Sequence, residues 1–274
     1  MNHQNIVFIG AGNMAGAIIN GLLTKGYPDH AIRATTRTAD SASSASARLG
    51  IRVDSDNLAA IQWADVVVLA VKPQMLQAVC TEIKPALGKQ LIVSVAAGIS
   101  CNSINHWLGG SHAIIRSMPN TPSQVGVGAS GLFANPHVNP QQRDFAEQLA
   151  CATGLFIWVD DEALIHAVTA VSGSGPAYYF LFMEAMIEAG VKLGLTPESA
   201  RALTLQTALG AATLASQADV PVDELKRRVM SPGGTTERAI HSFEAGGLRE
   251  QVNKAMTECA ARSETLAREL ADKN

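Results

Sequence analysis

The stretch Gly10-Ala11-Gly12-Asn13-Met14-Ala15 follows four apolar residues, Ile6-Val7-Phe8-Ile9, and runs at once into a helical pattern. A Gly-x-Gly-x-x-Ala turn in that setting suits a diphosphate. Gly10 permits a tight turn, Gly12 lets the backbone approach phosphate oxygens, and Ala15 is small enough to keep the helix close to the strand. The unpaired N–H groups at the helix start then face the anion. Gly10, Ala11, Gly12, Asn13, Met14 and Ala15 are therefore the expected contacts to the diphosphate of a dinucleotide.

Three further regions of the first half supply the rest of such a site. About 20 residues past the glycines, where a carboxylate would read a ribose 2′-hydroxyl, the chain has Ala34-Thr35-Thr36-Arg37-Thr38 and no acid until Asp40. Hydroxyls and a planar guanidinium suit a 2′-phosphate, so Thr36 and Arg37 point to NADPH, with NADH left open. Ala70-Val71-Lys72-Pro73 ends an apolar run at the carboxyl edge expected of a parallel strand, where open α/β sheets take their ligands. Its backbone is suited to lie along the nicotinamide ribose. Lys72 reads either as a ligand-facing cation or as a surface lysine. Ala97 and Gly98, after the next apolar run, leave space for a flat ring.

Three later stretches have no strong structural reason to exist. Arg116-Ser117-Met118-Pro119-Asn120-Thr121-Pro122 reads as a strand end followed by a rigid, proline-bounded loop. Ser172-Gly173-Ser174-Gly175-Pro176-Ala177 opens a long apolar helix, and Ser231-Pro232-Gly233-Gly234-Thr235-Thr236 opens another, with Thr236 read as its N-cap. Glycines ahead of a helix expose several N–H donors, and the macrodipole adds partial positive charge. Such a turn binds a carboxylate. Asn120, Ser174, Gly233, Gly234, Thr235 and Thr236 are the candidate substrate contacts, and the seven histidines lack metal-ligand spacing.

Positioning these residues requires a strand–helix alternation, and the first half has one. Strands are expected at residues 6–9, 31–35, 51–53, 66–71, 91–95, 113–116, 126–133 and 155–159. Helices are expected between them at 14–23, 41–49, 57–61, 75–83, 101–108 and 141–151. This pattern specifies an α/β fold of Rossmann type, a doubly wound parallel sheet with helices on both faces. Beyond Asp160-Asp161 the strand signal ends, and helices are expected at 163–171, 176–193, 197–216, 222–229, 236–245 and 248–270. The division is thus a dinucleotide-binding domain at 1–161 and an all-helical domain at 162–274. Residues 176–193 are apolar round most of the helix, which calls for burial in a core or between subunits.

With 47% hydrophobic and 16% charged residues over 274 positions, the composition is globular. A net charge of -3 without a basic block argues against nucleic acid. No run is long enough for a membrane span, and the start lacks the features of a signal peptide. Cys80, Cys101, Cys151 and Cys259 are widely spaced, as expected of reduced, mostly buried thiols in a cytoplasmic protein.

In order and spacing, residues 10–15, 70–73, 116–122, 173–177 and 231–236 resemble the successive motifs of the pyrroline-5-carboxylate reductases. The likeness covers nearly the whole chain and is most specific in Ser-Pro-Gly-Gly-Thr-Thr. It implies reduction of 1-pyrroline-5-carboxylate to L-proline with NAD(P)H, the last step of proline synthesis. It also implies that Asn57 touches the cofactor and that Thr236 is the catalytic contact beside the ring nitrogen. Further, it implies a homodimer, or a higher oligomer of dimers, in which helical domains interlock and the active site is shared. A 3-hydroxyacid dehydrogenase is the nearest alternative enzyme, but its catalytic lysine and asparagine positions correspond here to Tyr179 and Met183. A non-catalytic NADP(H)-binding sensor is the alternative outside enzymes; it has no use for a carboxylate cradle.

Overall fold

The computed structural model describes residues 3–272. Along the first 174 residues the order is β1 (Ile6–Ile9), α1 (Asn13–Thr24), β2 (Ile32–Thr35), α2 (Ala39–Leu49), β3 (Arg52–Asp54), α3 (Asn57–Trp63), β4 (Val66–Leu69), α4 (Leu76–Ile83), β5 (Leu91–Ser94), α5 (Cys101–Leu108), β6 (Ile114–Met118), β7 (Gly128–Ala134), α6 (Pro140–Cys151), β8 (Gly154–Trp158) and α7 (Leu164–Val168). The strands form one sheet in the order β3-β2-β1-β4-β5-β6-β7-β8. Direction of growth reverses between β1 and β4, which makes their carboxyl ends the switch point of the sheet.

The sheet is filled on both faces. Along β1, Ile6 and Phe8 join one apolar cluster while Val7 and Ile9 join the other, and Val66/Val68 and Val67/Leu69 divide the same way along β4. With successive side chains pointing to opposite faces and both faces covered, a strand reads as a continuous apolar run. Helix starts follow the capping chemistry of the sequence. Thr38 and Ser41 form a capping box at α2, Asp56 accepts from the Ala59 N–H at α3, and Ser100 caps α5.

Three expectations are corrected here. The sheet is not wholly parallel: β7 runs antiparallel to β6, and β8 is parallel to β7. A parallel partner needs a long crossover, whereas only a short 3₁₀ segment, Thr121–Val125, joins β6 to β7. Arg116, Ser117 and Met118 lie within β6, so the proline-bounded loop shrinks to the residues after Met118. Of the cysteines, Cys80 and Cys101 are buried, but Cys151 is exposed and Cys259 intermediate.

The remaining helices are α8 (Gly175–Lys192), α9 (Pro197–Gln217), α10 (Val222–Val229), α11 (Thr235–Ala245) and α12 (Leu248–Asp272). By contacts the chain divides into one compact unit of residues 1–174 with 259–274 and a second of 175–258. Loss of strand signal near residue 161 thus does not mark the division of contacts. Residues 162–174, α7 and the turn after it, belong with the sheet, and so does the far half of α12. There Ser263 bonds the His166 ring (2.9 Å) and the Cys259 thiol donates to Ser174 Oγ (3.3 Å). In the second unit α8 leaves Tyr179, Phe180 and Leu181 at least 62% exposed, so its apolar circumference is not consumed within the single chain. Among the described residues no helix is long and apolar enough to cross a membrane.

Candidate active site

The carboxyl ends of β1, β2 and β4 open onto a cleft of about 480 Å³ lined by Gly10, Ala11, Gly12, Thr36, Arg37, Asn57, Ala70, Val71 and Lys72, with Ser55, Met75 and Glu82 among its other walls. The sheet register builds it. Gly10 N–H donates to the Thr35 carbonyl (3.1 Å) and Ala70 N–H to that of Ile9 (2.9 Å), which draws the three strand ends level. Gly10 has φ +102°, and a Cβ there would stand 2.8 Å from the Ala70 carbonyl oxygen, so no other residue fits this corner. A Cβ on Gly12 would meet nothing within 4 Å: its outer side is open space over the cleft.

Helix α1 begins at Asn13 with Gly12 as N-cap, no capping side chain and no acid in its first turn. The Ala11 and Gly12 N–H groups have no acceptor among the described residues. Free donors, a helix N-terminus and a surface without a Cβ fit a diphosphate. Asn13 is exposed beside them, whereas Met14 packs against the core and Ala15 is 1% exposed, which makes Ala15 a packing residue.

Cations and polar groups line the rest of the cleft. Arg37 is exposed and its Nη2 reaches Met75 Sδ at 3.8 Å; Thr36 donates from Oγ1 to the Thr38 carbonyl. Neither Arg37 nor Lys72 has an ion-pair partner among the described residues. Asn57 opens α3 and its Nδ2 donates to Glu82 Oε1 (2.9 Å), so the side chain presents its oxygen and its other N–H elsewhere. Pro73 starts a 3₁₀ turn behind Lys72.

Ala97 and Gly98 stand apart from this cleft. Gly98 has φ +75°, and its Cβ direction is closed at 3.3 Å by Leu270 and at 3.6 Å by Leu266 of α12. The room that the sequence suggested for a flat ring on that side of Gly98 is taken by the returning helix.

The candidate substrate residues are in part committed to structure. Asn120 is buried; its Oδ1 accepts from Ala129 N–H (2.9 Å) and its Nδ2 donates to the Ser172 carbonyl (3.1 Å). It fastens the turn after α7 to β7. That turn is widened: Ser174 N–H donates to Thr169 O, five residues back, at 2.8 Å. Wide turns of this kind recur at functional sites.

In the second unit Thr236 is not the N-cap. Gly234 is, with Thr235 and Thr236 as the first two residues of α11. Gly233 N–H is taken by Glu237 Oε2 (2.8 Å) and Gly234 N–H by the Ser231 carbonyl (2.9 Å). Among the described residues the free donors are therefore the N–H groups of Thr235, Thr236 and Glu237, and the Thr236 hydroxyl has no partner.

Sequence reasoning passed over two groups. Arg48, on α2, donates from Nη2 to the Ala11 carbonyl at 2.6 Å. Glu162 pairs through Oε1 with buried Arg116 (3.1 Å) and accepts from the Cys101 N–H that opens α5 (2.8 Å). Burial and the Glu162 charge hold the Cys101 thiol far above its usual range, so it stays a neutral thiol. His166 is pushed below the ordinary histidine value, by burial first and by Arg116 second. No motif marks either group; only the folded neighbours reveal them.

A doubly wound sheet with a glycine turn, free helix-end donors and unpaired cations at its switch point is the architecture of a nicotinamide-dinucleotide oxidoreductase. Residues 5–98 match the family model described as NADP oxidoreductase, coenzyme F420-dependent, and residues 162–266 match the one described as pyrroline-5-carboxylate reductase dimerisation. The chain is 52% identical to a pyrroline-5-carboxylate reductase of Pseudomonas aeruginosa, over 98% of this chain and 99% of that one. Among solved structures it resembles a pyrroline-5-carboxylate reductase from Coxiella burnetii (TM-score 0.93, 47% identity, 97% and 99% of the two chains). It also resembles a Plasmodium falciparum pyrroline carboxylate reductase with NADP bound (TM-score 0.86, 29% identity, again 97% and 99%). The chain belongs to the pyrroline-5-carboxylate reductase family.

Proposed function

We propose that the protein reduces 1-pyrroline-5-carboxylate to L-proline, closing proline biosynthesis, with NADPH as preferred reductant. The observation that carries this reading is the pairing of two devices in one chain: a dinucleotide cleft at the sheet's switch point and an amide-ended turn at the start of α11. A sensor needs only the first.

Gly10, Ala11, Gly12 and Asn13 would hold the diphosphate, with Thr36, Arg37 and Asn57 at the adenosine end and Ala70, Val71, Lys72 and Pro73 along the nicotinamide side. The bound cofactor supplies hydride. A protonated cyclic imine is already electrophilic, so the protein's task is to orient it and exclude water. The Thr235 and Thr236 N–H groups, at the positive end of α11, hold the substrate carboxylate. Gly233 and Gly234 shape that end through their own bonds, Gly233 N–H to the Glu237 carboxylate and Gly234 N–H to the Ser231 carbonyl. The protonated ring nitrogen donates to the Thr236 hydroxyl oxygen, which fixes the imine carbon in register. Asn120 acts by fastening the turn that carries Ser174.

The working form we propose is a cytoplasmic homodimer, or an assembly of dimers, that covers the exposed apolar face of α8. The matched dimerisation model and the Tyr179-Phe180-Leu181 exposure support it. Incubating the purified protein with L-proline and NADP⁺ at alkaline pH tests the reaction class. Proline-dependent formation of reduced cofactor is expected; nucleotide binding with no turnover would favour the sensor.

A further inference from the structure

We propose that Arg48 is a positioning residue for the cofactor diphosphate, acting by locking the Ala11–Gly12 peptide in the orientation that aims its N–H at the cleft. The inference rests on the dinucleotide reading of the cleft. A trans peptide is planar, and its C=O and N–H point in opposite directions. Fixing the Ala11 oxygen on Arg48 Nη2, 2.6 Å away, therefore fixes the Gly12 N–H on the opposite side of the same plane. Gly12 lines the cleft, and its N–H has no acceptor among the described residues.

Without that anchor nothing in the local sequence holds the peptide. Gly12 has no Cβ, so its φ is nearly free and the plane can rotate. In the rotated state a carbonyl oxygen would face the diphosphate in place of a donor, and anion would be repelled.

Gly16, whose purpose the motif does not explain, fits the same account. A Cβ on Gly16 would stand 3.1 Å from Arg48 Nη1, so the bare Cα leaves room for the guanidinium to lie close to α1. Arg48 also has no carboxylate within ion-pair distance among the described residues, so its donors and charge are not spent on a surface pair.

The test is fluorescence titration of wild type, Arg48→Met, Arg48→Lys and Arg48→Gln with NADPH and with adenosine 2′-monophosphate, which lacks the diphosphate. A charge-assisted hydrogen bond of this type sets the scale: Arg48→Met should weaken NADPH roughly tenfold. Adenosine 2′-monophosphate affinity should change less than about twofold on the same scale. Turnover at saturating NADPH should hold, and Arg48→Lys should recover most of the loss. Equal NADPH affinity in wild type and Arg48→Met, or parallel loss of both ligands, would overturn the proposal. Should Arg48→Met not fold, Arg48→Gln, too short to reach the Ala11 carbonyl, decides in the same way: weaker NADPH with unchanged adenosine 2′-monophosphate supports it, and unchanged NADPH refutes it. A wild type that binds no NADPH would refute the cofactor reading itself, and this inference with it.

Discussion

Replacing Glu162 by Gln leaves Arg116 charged where only 4% of its side chain meets water. Gln keeps an oxygen that can still accept from the Cys101 N–H, so the substitution removes the ion pair while sparing the helix-end contact. Breaking a buried pair by deleting one partner costs about 3–5 kcal/mol, because the survivor stays buried and unpaired. Glu162 is 22% exposed, so water offsets part of that cost. A destabilisation of roughly 2–3 kcal/mol follows, equivalent to a fall in Tm of about 5–10 °C for a unit of this size. Arg116→Met should cost less, since the orphaned carboxylate keeps the Cys101 N–H and its share of solvent. Arg52→Met, which breaks the open pair with Asp54 (63% and 29% exposed), should cost under about 1 kcal/mol. Calorimetric and urea unfolding of the three variants and the double mutant Arg116→Met/Glu162→Met measures this. If Glu162→Gln unfolds like wild type, or the double mutant is no more stable than Glu162→Gln, the burial argument is wrong.

Thr236→Ala, which removes the free hydroxyl, should lower kcat by about 10- to 100-fold, the range for a hydrogen bond to a charged group, with KM for NADPH nearly unchanged; Thr236→Ser should recover most of it. Arg37→Ala should weaken NADPH by about tenfold and leave NADH within about twofold, read from parallel steady-state assays. Gly21→Ala drives a Cβ onto the Ala152 carbonyl oxygen, backbone against backbone, and should lower Tm by several degrees, as overpacking of about 1–3 kcal/mol implies. Folded His166 binds its proton less readily than an ordinary histidine, which titrates near 6.5. Its contribution to stability is therefore complete above that value and is lost as pH falls from it through the lower folded value. His166→Gln should flatten the pH dependence of urea midpoints in that window.

Legibility in the sequence followed physical range. The strands of the sheet's centre could be read because both their faces are buried, which leaves runs such as Val66-Val67-Val68-Leu69 with no other use. The glycine turn was legible because Gly10 must adopt a positive φ against Ala70. The antiparallel β7 was not: direction depends on how little chain joins two strands, and residues 119–127 gave no periodicity to measure it by. Nor was the division of contacts after Ser174, since α12 belongs to two units along one unbroken amphipathic pattern. At the α11 turn the sequence located a glycine-led helix start, but not how its amide donors are allocated. Glu237, one turn into the helix, takes the Gly233 N–H, and only coordinates reveal which glycine amides are already satisfied. Arg48 and Glu162 escaped for a related reason: a lone charge carries no motif, and its meaning lies in the partner that folding supplies.

Whether proline forms decides the reaction. The decisive measurement follows purified protein with 1-pyrroline-5-carboxylate and NADPH, quantifying L-proline by chromatography against NADPH consumed. One proline per NADPH oxidised, with slower turnover on NADH, is the result expected. NADPH bound but not oxidised, or oxidised without proline appearing, would contradict it.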